Sequence, residues 1–201
     1  MDEHQRFGDI DIYLFDQVLK GRIRPADRVL DAGCGTGRNL VYLLRTGTNL
    51  WGVDADADSI AEVQRQAREL APALPSDRFA VTTIEDLGFP DGFFTVVLSS
   101  AVLHFARSDE QFSRMLKSMW RVLAPGGMLF ARLASSEGIA HQVLRQPDGR
   151  FRLPDGTTRY LVDEPTLTEW TRTLGGRLLD PLKTTIVHGQ RSMTTWVVRK
   201  D

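Results

Sequence analysis

Short apolar runs recur along this chain, and each is followed by an amphipathic stretch at helical spacing. Val29-Leu30, Leu50-Trp51-Gly52-Val53, Phe79-Ala80-Val81, Phe93 to Leu98 and Met128 to Leu133 read as strands. The fourth run, β-branched and aromatic throughout, fits a central strand buried on both faces. Between the runs, Leu40, Leu43 and Leu44 mark one helix face, Ile60, Val63, Ala67 and Leu70 a second, and Phe112, Met115, Leu116 and Met119 a third. Ile10, Tyr13, Leu14 and Val18 predict a helix over residues 10–20, stopped at Gly21. Pro165 opens a last helix that turns Leu167, Trp170 and Leu174 inward and ends at Gly175-Gly176. Two strands follow, Leu178 to Val187 and Ser192 to Val198. Their short link, His188-Gly189-Gln190-Arg191, requires antiparallel pairing. The alternation predicts an open, mixed α/β sheet with helices on both faces.

Residues 134–162 break the alternation. Within them Phe151 and Leu153, the turn Pro154-Asp155-Gly156, and Thr157 to Leu161 read as a small hairpin. An excursion at the C-terminal end of a sheet strand sits where substrate lids lie in α/β folds. His141, Arg150, Arg152, Arg159 and Tyr160 give it a basic and aromatic character. The helix within residues 1–24 either covers a ligand's mouth or caps the sheet. On the first reading Tyr13, Arg6 and His4 are substrate-site candidates.

Composition narrows the classes. With 201 residues, 42% hydrophobic and 25% charged, the chain suits one globular domain over residues 1–201. A net charge of −1 gives no broad attraction to nucleic acid or anionic lipid. No apolar run approaches the ~20 residues that span a bilayer, and Met1 to Arg6 lacks a signal-peptide pattern. The single cysteine, Cys34, cannot form an internal disulfide, which fits a reducing cytosol. The expectation is a cytoplasmic protein, monomer or homodimer, with no nucleic-acid or membrane partner and no metal site.

The chemistry gathers at Val29 to Asn39: a buried strand, the acid Asp31, glycines at 33, 35 and 37, then the start of a helix. Glycines let a backbone turn sharply and approach a ligand, and a helix opening beyond them points free N–H groups into the loop. A carboxylate at the strand end is an awkward neighbour for a dinucleotide's pyrophosphate. It suits the ammonium of S-adenosyl-L-methionine, which carries no phosphate. The spacing is G-x-G-x-G, not the G-x-G-x-x-G of the NAD fingerprint. Asp54 closes the second strand about twenty residues on, the separation of a ribose-binding acid. Its other reading is a helix cap, but Ser59 with Glu62 forms a capping box and leaves Asp54 free. Asp86 is placed to accept from the adenine amine beside Glu85, with Leu87 facing the ring, or else is a solvated loop acid. Cys34 reads as a small buried hydrophobe in the loop. The cofactor set is therefore Asp31, Gly33, Cys34, Gly35, Gly37, Asn39, Asp54, Ala55, Glu85, Asp86, Leu87 and Ser99. His104 follows strand four, where it either binds or deprotonates a substrate or sits at a helix start with a satisfied ring. Ser108 with Gln111 makes another capping box.

Val29 to Gly37 resembles the first motif of class I S-adenosylmethionine-dependent methyltransferases. Gly52-Val53-Asp54, Glu85-Asp86-Leu87 and Leu123-Ala124-Pro125-Gly126-Gly127 stand where that family has its later motifs. The resemblance covers residues 25–135 and implies a Rossmann-like three-layer sandwich with a seven-stranded, mostly parallel sheet and a C-terminal antiparallel hairpin. Within the class, Gly37-Arg38-Asn39, Leu98 to Leu103 and Arg191 to Lys200 look most like tellurite-resistance-type methyltransferases. That likeness implies basic side chains near the last hairpin that meet an oxyanion, and His188 and Arg191 are their nearest equivalents. Ser99-Ser100-Ala101-Val102 departs from the Asn/Asp-Pro-Pro-aromatic pattern of enzymes that methylate exocyclic amines. The acceptor implied is a small molecule, a metalloid oxyanion or a thiol, with His104, His188 and Arg191 as the catalytic candidates. Two other readings stay open: a non-catalytic S-adenosylmethionine-binding regulatory protein, and an NAD-dependent oxidoreductase.

Overall fold

The computed structural model describes residues 2–201, apart from the side chain of His4. Five parallel strands form its centre: β1 (Arg28–Ala32), β2 (Asn49–Asp54), β3 (Phe79–Val81), β4 (Phe94–Ser100) and β5 (Leu123–Ala134). A separate small sheet, β6 (Leu144–Arg145), β7 (Phe151–Arg152) and β8 (Thr158–Arg159), belongs to residues 134–162. It contains the hairpin expected there and adds one strand before it. β9 (Gly176–Leu178), β10 (Lys183–Val187) and β11 (Arg191–Lys200) complete the main sheet, whose order is β10-β11-β5-β4-β1-β2-β3, with β9 beside β11. β11 runs antiparallel to β5, and β9 and β10 antiparallel to β11. The order reverses between β1 and β4, so a crevice opens beyond their C-terminal ends.

Alternation along the strands sends neighbouring side chains to opposite faces. Val29, Leu98, Phe130 and Val197 pack on one face against α2 (Ile12–Leu19), α3 (Val41–Arg45) and α4 (Ala57–Leu70). Leu30, Val97, Leu129 and Trp196 pack on the other against α5 (Asp109–Val122) and α6 (Glu164–Thr173). A short α1 (Glu3–Phe7) lays Phe7 on Tyr42 of α3, with ring centroids 5.6 Å apart.

Four local readings change. The helix after the glycine loop starts only at Val41, because residues 35–40 form successive turns. Asp56, not Ser59, caps α4, accepting from the Ser59 N–H at 3.0 Å and the Ser59 hydroxyl at 2.6 Å. Ser108 does cap α5, but Gln111 returns its carbonyl to the Arg107 N–H, so the reciprocal bond of the box shifts by one residue. The strand expected over residues 178–187 is split, because four residues, 179–182, stand opposite Trp196 and Val197. Asp180 anchors that bulge, bound bidentately by Arg22 and also by Lys20 and Gln17. Burial pushes its carboxyl up, and those donors outweigh it and hold it at about 2.

β11 is fastened to α6 by one buried bond. Trp196 is wholly buried, and its indole N–H donates to Thr171 Oγ1 at 2.9 Å. Thr171→Val keeps the shape and leaves that N–H unpaired, at a cost of about 1–3 kcal/mol. Thermal melting should fall by at least ~2–4 °C, with the far-UV spectrum unchanged.

Candidate cofactor and acceptor site

The glycine loop leaves β1 at Ala32 and is tied to β2 at once, since Gly33 and Cys34 donate backbone N–H bonds to Val53 at 2.8 and 2.9 Å. Gly33 has φ +86°, and a Cβ there would lie 2.5 Å from a methyl of Val102, so no other residue fits. The Gly35 N–H donates to Asp54 Oδ2 at 2.8 Å, and the Asp56 N–H donates to Asp54 Oδ1 at 3.0 Å. Asp54 is thus a clamp on the loop as well as a strand-end acid. Each of its oxygens keeps a second lone pair for a ribose hydroxyl.

Asp31 is the anomaly of the site. It is 1% exposed, and neither carboxylate oxygen has a hydrogen-bond partner. Burial raises its carboxyl to about 7, the nearby Asp54 adds to the rise, and Arg38 opposes it. A buried, unpaired carboxylate is unfavourable unless something supplies positive charge and N–H donors. An amino-acid ammonium supplies both, so the pocket fits the methionine end of S-adenosylmethionine.

The other expected cofactor residues divide. Cys34 is buried and its thiol is pushed far up by burial, which suits packing and not reaction. Asn39 is committed elsewhere, accepting from the Asp11 N–H at 3.0 Å and so joining the loop to α2. Ala55 and Asp86 are exposed beyond β2 and β3, and Asp86 accepts from the Thr83 hydroxyl. Glu85 accepts from Gln111 at 2.7 Å. The Leu87 side chain is 3% exposed and packs in the core. Ser99 is likewise wholly buried, and it pairs with Ala131 on the face away from Asp31. Register places Ser100 beside Arg132 instead, and Arg38 Nη2 reaches the Ser100 hydroxyl at 3.5 Å.

The catalytic candidates also move. His104 is 6% exposed, and its Nδ1 accepts the Ala134 backbone N–H at 3.2 Å. Burial lowers its pKa to about 4, with Arg159 and Arg132 adding to the fall. A ring whose Nδ1 is occupied carries its hydrogen on Nε2, so it donates and does not act as a base at pH 7. His188 is an exposed turn residue with φ +51°. Arg191 pairs with Asp155 at 3.1 Å, which ties the last hairpin to residues 134–162. Arg6 is exposed at α1, and the side chain of His4 lies outside the described residues.

Tyr13 and Arg132 do meet at the crevice. Asp11 caps α2 with Oδ1 and takes Arg132 Nη1 on Oδ2 at 2.9 Å. The guanidinium lies over the Tyr13 ring, whose hydroxyl bonds Thr185 on β10 at 2.6 Å. Reading the chain did not single out Arg132, although a charge inside the apolar run Met128 to Leu133 was its signal. A further cleft of about 460 Å³ lies behind the loop, lined by Thr36, Gly37 and Gln66 among others, but neither Asp31 nor Asp54 reaches it.

An open α/β sheet with a glycine loop at its switch point, and acids ending two adjacent strands, defines a nucleoside-cofactor-binding domain. The methyltransferase-domain family pattern matches residues 30–131, half of the chain. An uncharacterized methyltransferase of Synechocystis sp. is 31% identical over 106 residues, 53% of this chain and 46% of its own length. The malonyl-[acyl-carrier protein] O-methyltransferase of Pectobacterium atrosepticum is 31% identical over 67% of this chain and 48% of its own. The chain therefore spans about half the length of these curated relatives. The solved magnesium protoporphyrin IX methyltransferase of Synechocystis, with bound S-adenosylhomocysteine, aligns over 95% of this chain and 81% of its own, with TM-score 0.73 and 22% identity. The chain belongs to the methyltransferase-domain family, and S-adenosyl-L-methionine is its cofactor. No helix among the described residues is long and apolar enough to cross a membrane.

The state of Asp31 has a measurable consequence. Its carboxyl binds a proton more tightly in the folded protein than in the unfolded chain, so ligand-free stability falls as pH rises from about 4 to about 7. Asp31→Asn removes that loss. At pH 8 the ligand-free variant should be more stable than the parent by at least about 1 kcal/mol, the value of one pKa unit or so. Near pH 4 the difference should shrink, as urea unfolding at both pH values will show.

Proposed function

We propose that this chain transfers the methyl group of S-adenosylmethionine to a small-molecule acceptor that arrives already ionised, an oxyanion or a thiolate. The observation that carries this reading is His104. It is the histidine next to the crevice, and its Nδ1 lone pair is held by Ala134. The other titratable side chains that converge there are engaged or cationic: the Tyr13 hydroxyl bonds Thr185, and Asp11 bonds Arg132. An acceptor that must lose a proton lacks a base, whereas an anion needs none.

When bound, the cofactor supplies an electrophilic methyl on a sulfonium, and displacement leaves the bonding pair on sulfur. The residues of this chain contribute alignment. Asp31 takes the ammonium, Asp54 holds the ribose and the loop, and α2 with residues 134–162 covers the acceptor and excludes water. Alignment of two reactants is worth several powers of ten in rate. Assigning the oxyanion to His188 and Arg191, as in tellurite-resistance-type enzymes, finds less support, because the His188 turn is exposed and the charges that act on His104 are Arg159 and Arg132. Arg132 and Arg159 are the better receivers.

Calorimetry should give micromolar binding of both S-adenosylmethionine and S-adenosylhomocysteine. Asp54→Ala should weaken each about tenfold or more, as loss of ~1.5 kcal/mol of hydrogen bonding gives. A folded protein that binds neither overturns the proposal, and one that binds both without turnover on any thiol or oxyanion supports a regulatory role.

A further inference from the structure

The described corner between the ends of β4 and β5 holds polar groups that the cofactor's assignments leave over. Arg132 Nε is buried and has no partner, while Nη1 of the same guanidinium serves Asp11. His104 Nε2 is the hydrogen-bearing nitrogen of a ring fixed by Ala134, and no hydrogen bond to another residue engages it. Arg159 bonds the carbonyl of its own neighbour Thr158, and its guanidinium lies 4.8 Å from the centre of the Phe105 ring. The two are brought together by backbone, because Tyr160 donates its N–H to the His104 carbonyl at 2.9 Å. Tyr160 itself is anchored by Asp109 at 2.8 Å and stacks on Phe112, so β8 is held firmly over this corner. Both arginines lie close enough to His104 to depress its proton affinity.

An apolar surface adjoins these donors. Phe105 is 56% exposed, and its ring lies against both His104, 4.6 Å between centroids, and the Arg159 guanidinium. The Tyr13 ring lies 5.3 Å from the guanidinium carbon of Arg132. Donors and arginines that each have an aromatic ring beside them suit an anion that has a hydrocarbon body. An inorganic oxyanion has no use for the rings, and a simple thiolate has no use for a planar fork.

We propose that the acceptor is an organic acid whose carboxylate is received by Arg132 and Arg159, with its body against Phe105 and Tyr13. This inference rests on the methyltransferase reading and names the acceptor class of the same site. His104 then acts as a positioning donor to the carboxylate, and Arg132 links acceptor binding to α2 through Asp11.

The test uses the full chain loaded with S-adenosylhomocysteine and titrated with benzoate, octanoate and succinate, beside benzamide and octanamide. Binding is read by calorimetry and by the shift in melting temperature. At least one carboxylate should bind, and its amide counterpart should bind at least tenfold more weakly. Arg159→Gln, at a partly exposed position, should weaken the carboxylate tenfold or more and leave the S-adenosylhomocysteine affinity within twofold. Phe105→Ala should weaken benzoate or octanoate more than succinate. Equal binding of acids and amides, no binding of any acid to the loaded protein, or an Arg159→Gln protein that loses the cofactor product each overturn the inference. Failure to bind S-adenosylhomocysteine at all is a different result, and it removes the methyltransferase reading itself.

Discussion

A carboxylate buried without a partner is the constraint on which the site depends. Asp31 ends β1 at the point where the strand order reverses, 1% exposed and with both oxygens unpaired. Left alone it takes up a proton, because burial and the neighbouring Asp54 both disfavour its charge. On the proposed reading, the free protein holds an unfavourable feature that the cofactor's ammonium relieves. Binding energy for the cofactor is in this sense stored in the fold, and the glycine loop, clamped by Val53 and Asp54, is the rigid frame that preserves it.

A second polar link carries the frame outward. Asn39 accepts from the Asp11 backbone, Asp11 accepts from Arg132, and Arg132 lies over Tyr13, which bonds Thr185 on the edge strand. α2 is thereby joined to the glycine loop, to β5 and to β10 at once. The helix caps the sheet through Leu14. The other role offered by its periodicity, cover for a ligand's mouth, belongs to the proposed reading. Residues 134–162 are tied down through Tyr160, which bonds the His104 carbonyl and Asp109.

Much of this was legible in the sequence. Apolar runs locate the five parallel strands to within two residues, apart from β5, which begins five residues before Met128, because a buried central strand has little choice of composition. Type and spacing single out Asp31, the three glycines and Asp54, and the fold gathers them at the ends of β1 and β2. What the sequence concealed were matters of facing and competition. Ser99 and Ser100 differ only in parity, and a one-residue step turns a side chain to the opposite face. Leu87 follows two acids in a loop, yet the core takes it. The Ser59 and Glu62 pairing looked like a cap until Asp56, three residues before Ser59, accepted its N–H. The choice for His104 between an active group and a satisfied ring stays open in the sequence, because no periodicity reveals that the Ala134 N–H will occupy its lone pair. Long-range polar pairs such as Asp11 with Arg132 and Asp180 with Arg22 join segments more than a hundred residues apart, beyond the reach of local pattern.

We infer that the cofactor's ammonium replaces the proton on Asp31. This exchange is tested most directly by titrating S-adenosylhomocysteine calorimetrically at pH 7 in buffers of different ionisation enthalpy, which counts protons exchanged on binding. With the carboxyl at about 7 in the free protein, the account predicts release of about half a proton on binding, absent in Asp31→Asn, whose affinity is also much reduced. Binding with no proton release, and equal affinity in Asp31→Asn, would contradict it.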